Sequence, residues 1–165
     1  MVSSHLPPGD VAETLSARYK TWLQTVPATI VEDMLWRVRA YRLSLFVAEL
    51  AWEDATILQR DHRTLGSSDQ LMRAVGSIGA NIAEGYGRSS GKDRARFYEY
   101  SLGSARESRD WYYKARHVLS DAVTAERLEI IEGITRLLLV MVPDQRSKAV
   151  HEDQEPYLFS VLDDV

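Results

Sequence analysis

Glu84 and Glu107, with the Asn81 amide one turn before Glu84, are the candidates with which this chain could do acid–base chemistry. Two carboxylates divide into acid and base only when burial moves their pKa values apart, and no sequence pattern here establishes that burial. Other chemistries fail on spacing. The histidines are His5, His62, His117 and His151, and three residues before them stand Val2, Gln59, Lys114 and Lys148. The Glu-x-x-His pairs that hold di-metal centres in helical bundles are therefore missing. There is no His-Glu-x-x-His run and no Gly-x-Ser-x-Gly elbow, and the absence of cysteine removes thiolate sites and disulfides. A phosphate-binding loop needs four residues between its first glycine and Gly-Lys. Here five separate Gly85 from Gly91-Lys92, three separate Gly87 from it, and Asp93 stands where Ser or Thr is required. The expectation is a protein without catalytic residues, metal or cofactor.

Charge offers a different chemistry. The net charge is −4, which argues against general affinity for nucleic acid. Its distribution is uneven: residues 63–118 hold ten Lys or Arg against six acids. Arg88, Lys92, Arg94 and Arg96 bunch around one predicted helix start, where backbone N–H groups already favour anions. Arg73 lies on the preceding helix, in a polar stripe with Gln70, Ser77, Asn81, Glu84 and Arg88. That stripe reads either as ordinary helix surface with a Glu84–Arg88 pair or as a face that recognises a ligand. The basic end reads either as solvated surface or as a site for RNA or DNA. Residues 144–165 carry six acids against two bases, interrupted by Tyr157, Leu158, Phe159, Val161 and Leu162. They read as a disordered tail, as a docking motif that folds on a partner, or as a cover for the basic end.

The elements that position these residues follow from apolar spacing. Leu71, Val75, Ile78 and Ile82 mark one face of a helix, with Ser67 or Ser68 as N-cap. Gly76 and Gly79 within it mark either close approach of a neighbour or drift. Gly85 and Gly87 supply positions where φ can be positive and the helix can end. Ser89 or Ser90 then caps a second helix, with Asp93 in its first turn and small residues Ser101, Gly103, Ser104 and Ala105 on a face suited to close packing. Before this hairpin, a helix from Val31 to Arg60 carries Trp36, Ala40, Leu43, Val47, Leu50 and Ile57. Its apolar surface, broadened by Leu35, Leu45 and Phe46, is wide enough for two neighbours. After the hairpin, Thr124 is expected to cap a helix that Pro143 stops. Asp10 and Glu13 open a short amphipathic helix through Val11, Leu15, Tyr19, Trp22 and Val26.

The run Ser77-Ile78, Asn81-Ile82-Ala83-Glu84-Gly85, Gly87-Arg88, Lys92-Asp93, Phe97 and Gly103-Ser104 with Glu107 resembles the four-helix-bundle family of intervening-sequence proteins, encoded in inserts of bacterial large-subunit ribosomal RNA genes. The lead-in Gln70-Leu71 and Arg73-Ala74 is also similar, and the match spans roughly 34–142. Gly79 departs from the family's frequent proline and Ser101 from its usual alanine. The chain is similar, more distantly, to the accessory variability protein of diversity-generating retroelements, associated with nucleic acid and a reverse transcriptase. The resemblance implies an all-α, antiparallel up-down four-helix bundle that assembles with itself, as a pentamer, and a bacterial source. It also implies no established activity.

At 165 residues the chain reads as one bundle, 34–142, between an N-terminal extension, 1–33, and an acidic tail, 143–165. No apolar run approaches a membrane span. The reading is therefore a cytoplasmic, non-enzymatic scaffold that binds nucleic acid through Arg73, Arg88, Lys92, Arg94 and Arg96. The alternative is a protein-interaction module that uses the N-terminal helix and the tail.

Overall fold

The computed structural model describes residues 8–147. Among these the protein is all-α, a packed bundle of helices with no strand. The helices are α1 (Pro8–Leu23), α2 (Ala28–Val31), α3 (Arg39–Leu58), α4 (Leu65–Tyr86), α5 (Gly91–Ala115) and α6 (Asp121–Ser147). Two 3-10 turns, Met34–Arg37 and His62–Thr64, precede α3 and α4. The tail from residue 148 and the residues before Pro8 lie outside the described residues.

α3, α4, α5 and α6 each pack on the next, and α6 also packs on α3. Their apolar stripes meet in one core. Val47, Leu50 and Leu58 from α3, Leu71, Ile78 and Ile82 from α4, Tyr112 from α5, and Ile131, Ile134 and Leu138 from α6 are all fully enclosed. The spacing of the α4 stripe thus becomes burial without exception. α1 adds Leu15, Tyr19 and Trp22 to this core. Tyr19 meets Phe46 edge-on at 5.1 Å between ring centroids, and Trp22 lies 5.2 Å from the same ring. Phe46, which made the apolar surface of α3 too wide for one seam, is therefore covered by α1.

Several helix limits differ from the sequence expectation. The helix expected over Val31–Arg60 is broken. Asp33 accepts a hydrogen bond from the Leu35 amide at 2.8 Å, and Val38 is extended at φ −76° and ψ 106°. Trp36 consequently belongs to a 3-10 turn, and α3 begins only at Arg39. α4 starts before Ser67 and Ser68. Ser68 is buried and its hydroxyl donates to the Ala55 carbonyl at 3.5 Å instead of capping. α6 starts ahead of Thr124, with the Ser120 hydroxyl accepting from the Val123 amide at 3.2 Å. It also runs past Pro143 to Ser147, because Val142 and Gln145 are buried and hold its last turn on the bundle.

The glycines divide by what faces them. A Cβ on Gly76 would meet nothing within 4 Å, whereas one on Gly79 would lie 2.7 Å from the Ser44 hydroxyl of α3. Close approach explains Gly79 and leaves Gly76 without a packing reason. Gly85 is buried inside α4, and a Cβ there would sit 2.8 Å from Tyr98 Cε1. Gly87 caps α4 with right-handed φ of −74°. No described residue has positive φ, so α4 ends without a left-handed glycine, and the need for glycine at position 85 is the Tyr98 ring packed against it. Gly103 also faces open space. Of the small α5 face, only Ser101 and Ala105 are fully buried, and the Ser101 hydroxyl donates to the Ile78 carbonyl of α4 at 2.9 Å.

Candidate functional site

The α4–α5 connection is short, so the last turn of α4 and the first turns of α5 share one end of the bundle. Ser90 caps α5 by accepting from the Asp93 amide at 3.1 Å, and its own hydroxyl donates to the Asp93 carboxylate at 2.8 Å. This capping, expected from sequence, fixes the direction in which the following cations leave the helix. Arg88, Lys92 and Arg96 are exposed and Arg94 is half-buried.

Their partners differ. Arg88 pairs with Glu84 one turn earlier and stacks 4.7 Å from the Phe97 ring centroid. The Arg96 Nε donates to the Tyr100 hydroxyl at 2.7 Å, which holds the guanidinium pKa above its ordinary value. Among the described residues Lys92, Arg94 and Arg96 form no ion pair, and the Nε of Arg94 is buried without a hydrogen-bond partner. Aromatic rings lie between the cations. Tyr86 and Tyr100 are exposed at 40% and 46%, and Phe97 meets Tyr100 edge-on at 5.8 Å. The Tyr98 ring beneath them is buried, and burial, partly opposed by the Arg94 charge, pushes its hydroxyl up to about 12.

The fold adds cations that linear spacing does not associate with this end. Ser44 of α3 faces Gly79 of α4, and Ala55 faces Ser68. That register sets the start of α3 beside the end of α4. Exposed Arg37 and half-buried Arg39 and Arg42 therefore join the same end, and Arg42 is turned inward to donate to the Trp36 carbonyl at 3.1 Å. These three arginines are remote from Arg88 in the chain, and only the pairing of α3 with α4 brings them near.

Arg73 does not belong to this group. It is exposed on α4 thirteen residues before Tyr86, roughly 20 Å along the axis at 1.5 Å per residue. The other motif residues are spread along the hairpin. Asn81 is half-buried and donates to the Ser77 carbonyl at 2.8 Å, while the Ser104 hydroxyl donates to the Tyr100 carbonyl at 3.1 Å. Glu84 and Glu107 are both exposed, and Glu107 accepts from the Trp111 indole at 3.3 Å. With Ser101 facing Ile78, Glu107 lies level with about residue 72 of α4, so it and Glu84 are roughly 18 Å apart along the bundle. The structure does not bring them together as an acid–base pair.

A buried carboxylate lies outside the sequence motifs. Asp54 of α3 and Arg127 of α6 are 2% and 1% exposed. The Arg127 Nε donates to Asp54 Oδ2 at 2.8 Å and its Nη2 to Oδ1 at 3.2 Å, and the Tyr112 hydroxyl donates to Oδ2 at 3.0 Å. Burial alone would lower the Arg127 pKa, but the hydrogen bonds and charge of Asp54 outweigh it and raise it. Burial, with the Asp54 charge, pushes the Tyr112 hydroxyl well above its ordinary value. Arg127 also pairs with Glu126, which Arg18 of α1 reaches at 3.4 Å while bridging to Glu53 at 2.8 Å. The sequence signal was available: Asp54 stands in the apolar run of α3, four residues after Leu50 and four before Leu58. With each polar atom satisfied by a neighbour, this network ties α1, α3, α5 and α6 together.

A family model described as 23S rRNA-intervening sequence protein matches residues 37–139. The chain belongs to that family. The matched span covers α3, α4 and α5 and most of α6, including the whole cationic end and the Asp54–Arg127 pair. Among solved structures, a protein with unknown function from the S23 ribosomal protein family of Bacteroides thetaiotaomicron VPI-5482 is 22% identical, with a TM-score of 0.59. That match covers 62% of this chain and 97% of the other, and it supports the fold alone. No curated protein matches the chain. Among the described residues no helix is long and apolar enough to cross a membrane.

Proposed function

We propose that this family member is a non-enzymatic scaffold that associates with copies of itself and binds nucleic acid through the end of the bundle carrying Arg88, Lys92, Arg94 and Arg96. The single observation that carries the reading is the convergence there of cations, most of them without an ion pair, with exposed rings, Tyr86 and Tyr100, joined by Arg37 and Arg39 at the start of α3. Cations neutralise phosphates and release counterions, and aromatic faces stack on bases.

In this reading the four long helices form an up-down antiparallel bundle, supported by the facing pairs Ser44–Gly79, Ser68–Ala55 and Ser101–Ile78. A pentameric ring, implied by the family resemblance, would repeat the cationic end and gain avidity from weak single sites. A protein-interaction module without nucleic acid is the second reading. It loses its N-terminal helix, since Tyr19 and Trp22 are committed to Phe46. It retains exposed Trp52, Leu139 and Val140 as contact points.

Binding to structured RNA and duplex DNA across a salt series tests the proposal, with oligomeric mass followed by light scattering. The quadruple variant Arg88→Ala, Lys92→Ala, Arg94→Ala, Arg96→Ala is expected to keep its mass and lose binding. The slope of log K against log salt should shrink by roughly 0.9 for each phosphate that is no longer neutralised. Arg73→Ala, away from that end, is expected to bind as the parent does. Failure of the parent to bind at low salt, or equal binding by the quadruple variant, overturns the proposal.

A further inference from the structure

We propose that a second copy of this chain docks on the outer face of the α3–α4 seam, with Trp52 of each copy seated over Gly76 of the other. The contact rests on the self-association proposed above and names its surface. Trp52 is 70% exposed, the most open of the large apolar side chains among the described residues. Leu45, seven residues earlier and so on the same face of α3, is half-buried, and its Cδ2 lies 4.0 Å from where a Gly79 Cβ would stand. The face therefore borders α4. There Met72 is half-buried, and Gly76 is exposed with nothing within 4 Å of a Cβ. With Ala48 between Leu45 and Trp52, these residues form an apolar ridge beside a notch, and among the described residues no helix covers Trp52 or Gly76.

The face is complementary to itself. The facing pairs Ser44–Gly79 and Ala55–Ser68 set the antiparallel register, which puts Trp52 level with about residue 71 of α4 and Glu49 level with about residue 74. A helical side chain leans toward the N-terminus of its helix, and this carries the Trp52 ring toward the level of Gly76. Glu49 and Arg73 are exposed one turn before Trp52 and Gly76, each rotated away from the seam onto the outer rim of its helix. Among the described residues neither forms an ion pair. Glu53, the next acid on α3, is held by Arg18 on the side of α1. When a second copy is turned by half a turn about an axis parallel to the helices, α3 of each copy lies along α4 of the other at the same level. Trp52 then meets Gly76 and Glu49 meets Arg73, each twice by symmetry. Burial of the two rings supplies the attraction, and the rim charges fix the register. A polyanion fits this face poorly, because a single cation stands beside the apolar strip in each copy. The contact also gives a reason for Gly76, which packing within one chain does not provide, and for the place of Arg73 away from the cationic end.

The mass of the full-length protein in solution, followed by light scattering near the parent's dissociation constant, tests the contact. Trp52→Ala is expected to halve the mass of the assembly and to raise the dissociation constant of that step about thirtyfold or more. Its helical circular dichroism should stay that of the parent, because the side chain is exposed. Gly76→Gln fills the notch from within its own chain and should weaken the same step about tenfold, while α4 forms as before. Glu49→Arg and Arg73→Glu set like charges opposite each other, and each alone is expected to halve the mass. Mixed in equal amounts, the two variants bring opposite charges together at both rims, and the parental mass should return. Only a contact between chains allows that rescue. A mass unchanged by Trp52→Ala, or a mixture that stays halved, overturns this contact alone. A parent with the mass of one chain at about 0.1 mM overturns it together with the self-association. The mass is measured without nucleic acid, so a protein that passes these tests and binds no RNA keeps the contact and loses only the nucleic-acid reading.

Discussion

The two ends of this bundle use the same residue types in opposite ways. At one end Asp54, Arg127 and Tyr112 are enclosed and each polar group has a partner. At the other, Arg88, Lys92 and Arg96 are exposed, with rings beside them and few carboxylates to meet them. An arginine in a dry site must be paired, because an unpaired buried charge costs several kcal/mol. An arginine in water need not be, so its interaction with a ligand remains to be made. The contrast teaches that a charged residue is read by its surroundings: the closed set holds helices together, and the open set keeps its charge in water, against surface partners such as Glu84 and Tyr100.

Breaking the closed set should have the largest effect. Asp54→Ala leaves the Arg127 charge enclosed and is expected to destabilise the fold by about 3–5 kcal/mol, read from denaturant midpoints. A loss under about 1 kcal/mol would show that the pair behaves like a surface ion pair, and the contrast between the ends would fail.

Alkaline pH tests the buried rings next. Tyr98 has a folded pKa of about 12, above the ordinary value of about 10. The unfolded chain therefore loses that proton first. The contribution is intact below about pH 10 and disappears as pH rises through 12, amounting to about 2–3 kcal/mol. Tyr112 is shifted in the same direction and adds to the slope. Urea titrations between about pH 9 and pH 12 should show this decline, and Tyr98→Phe should flatten part of it. A stability independent of pH over that window would contradict the enclosure of both rings.

Packing beneath the open end comes third. Gly85→Ala would press a methyl against the Tyr98 ring and Phe97 Cβ, and should cost about 1–3 kcal/mol. Gly76→Ala meets open space and should stabilise α4 by about 0.5–1 kcal/mol. Thermal unfolding of the two variants would sharpen the comparison, since both glycines sit on one helix. The smallest effect belongs to the exposed pair. Glu84→Gln is expected to change stability by no more than about 0.5 kcal/mol, while freeing Arg88 and strengthening nucleic-acid binding at low salt.

Much of this protein was determined by its sequence alone. The four-then-three spacing of Leu71, Val75, Ile78 and Ile82 dictates a helix with one buried face, because any other conformation would scatter those side chains into water. Ser89 or Ser90, with Asp93 following, marks where α5 begins, and the structure selects Ser90. The Glu84–Arg88 pair follows equally from local geometry. Interactions between distant residues were decided only in the tertiary structure. The burial of Asp54 required Arg127, 73 residues away, and Tyr112, 58 residues away. The meaning of the glycines depended on what stood opposite: Ser44 at Gly79, Tyr98 at Gly85, and open space at Gly76 and Gly103. The placement of Arg37 and Arg39 beside the α4–α5 connection, and the exclusion of Arg73 from it, came from helix register. A local pattern shows which face of a helix turns inward, but the neighbour across the bundle determines whether a charge there is satisfied and whether a small residue is needed.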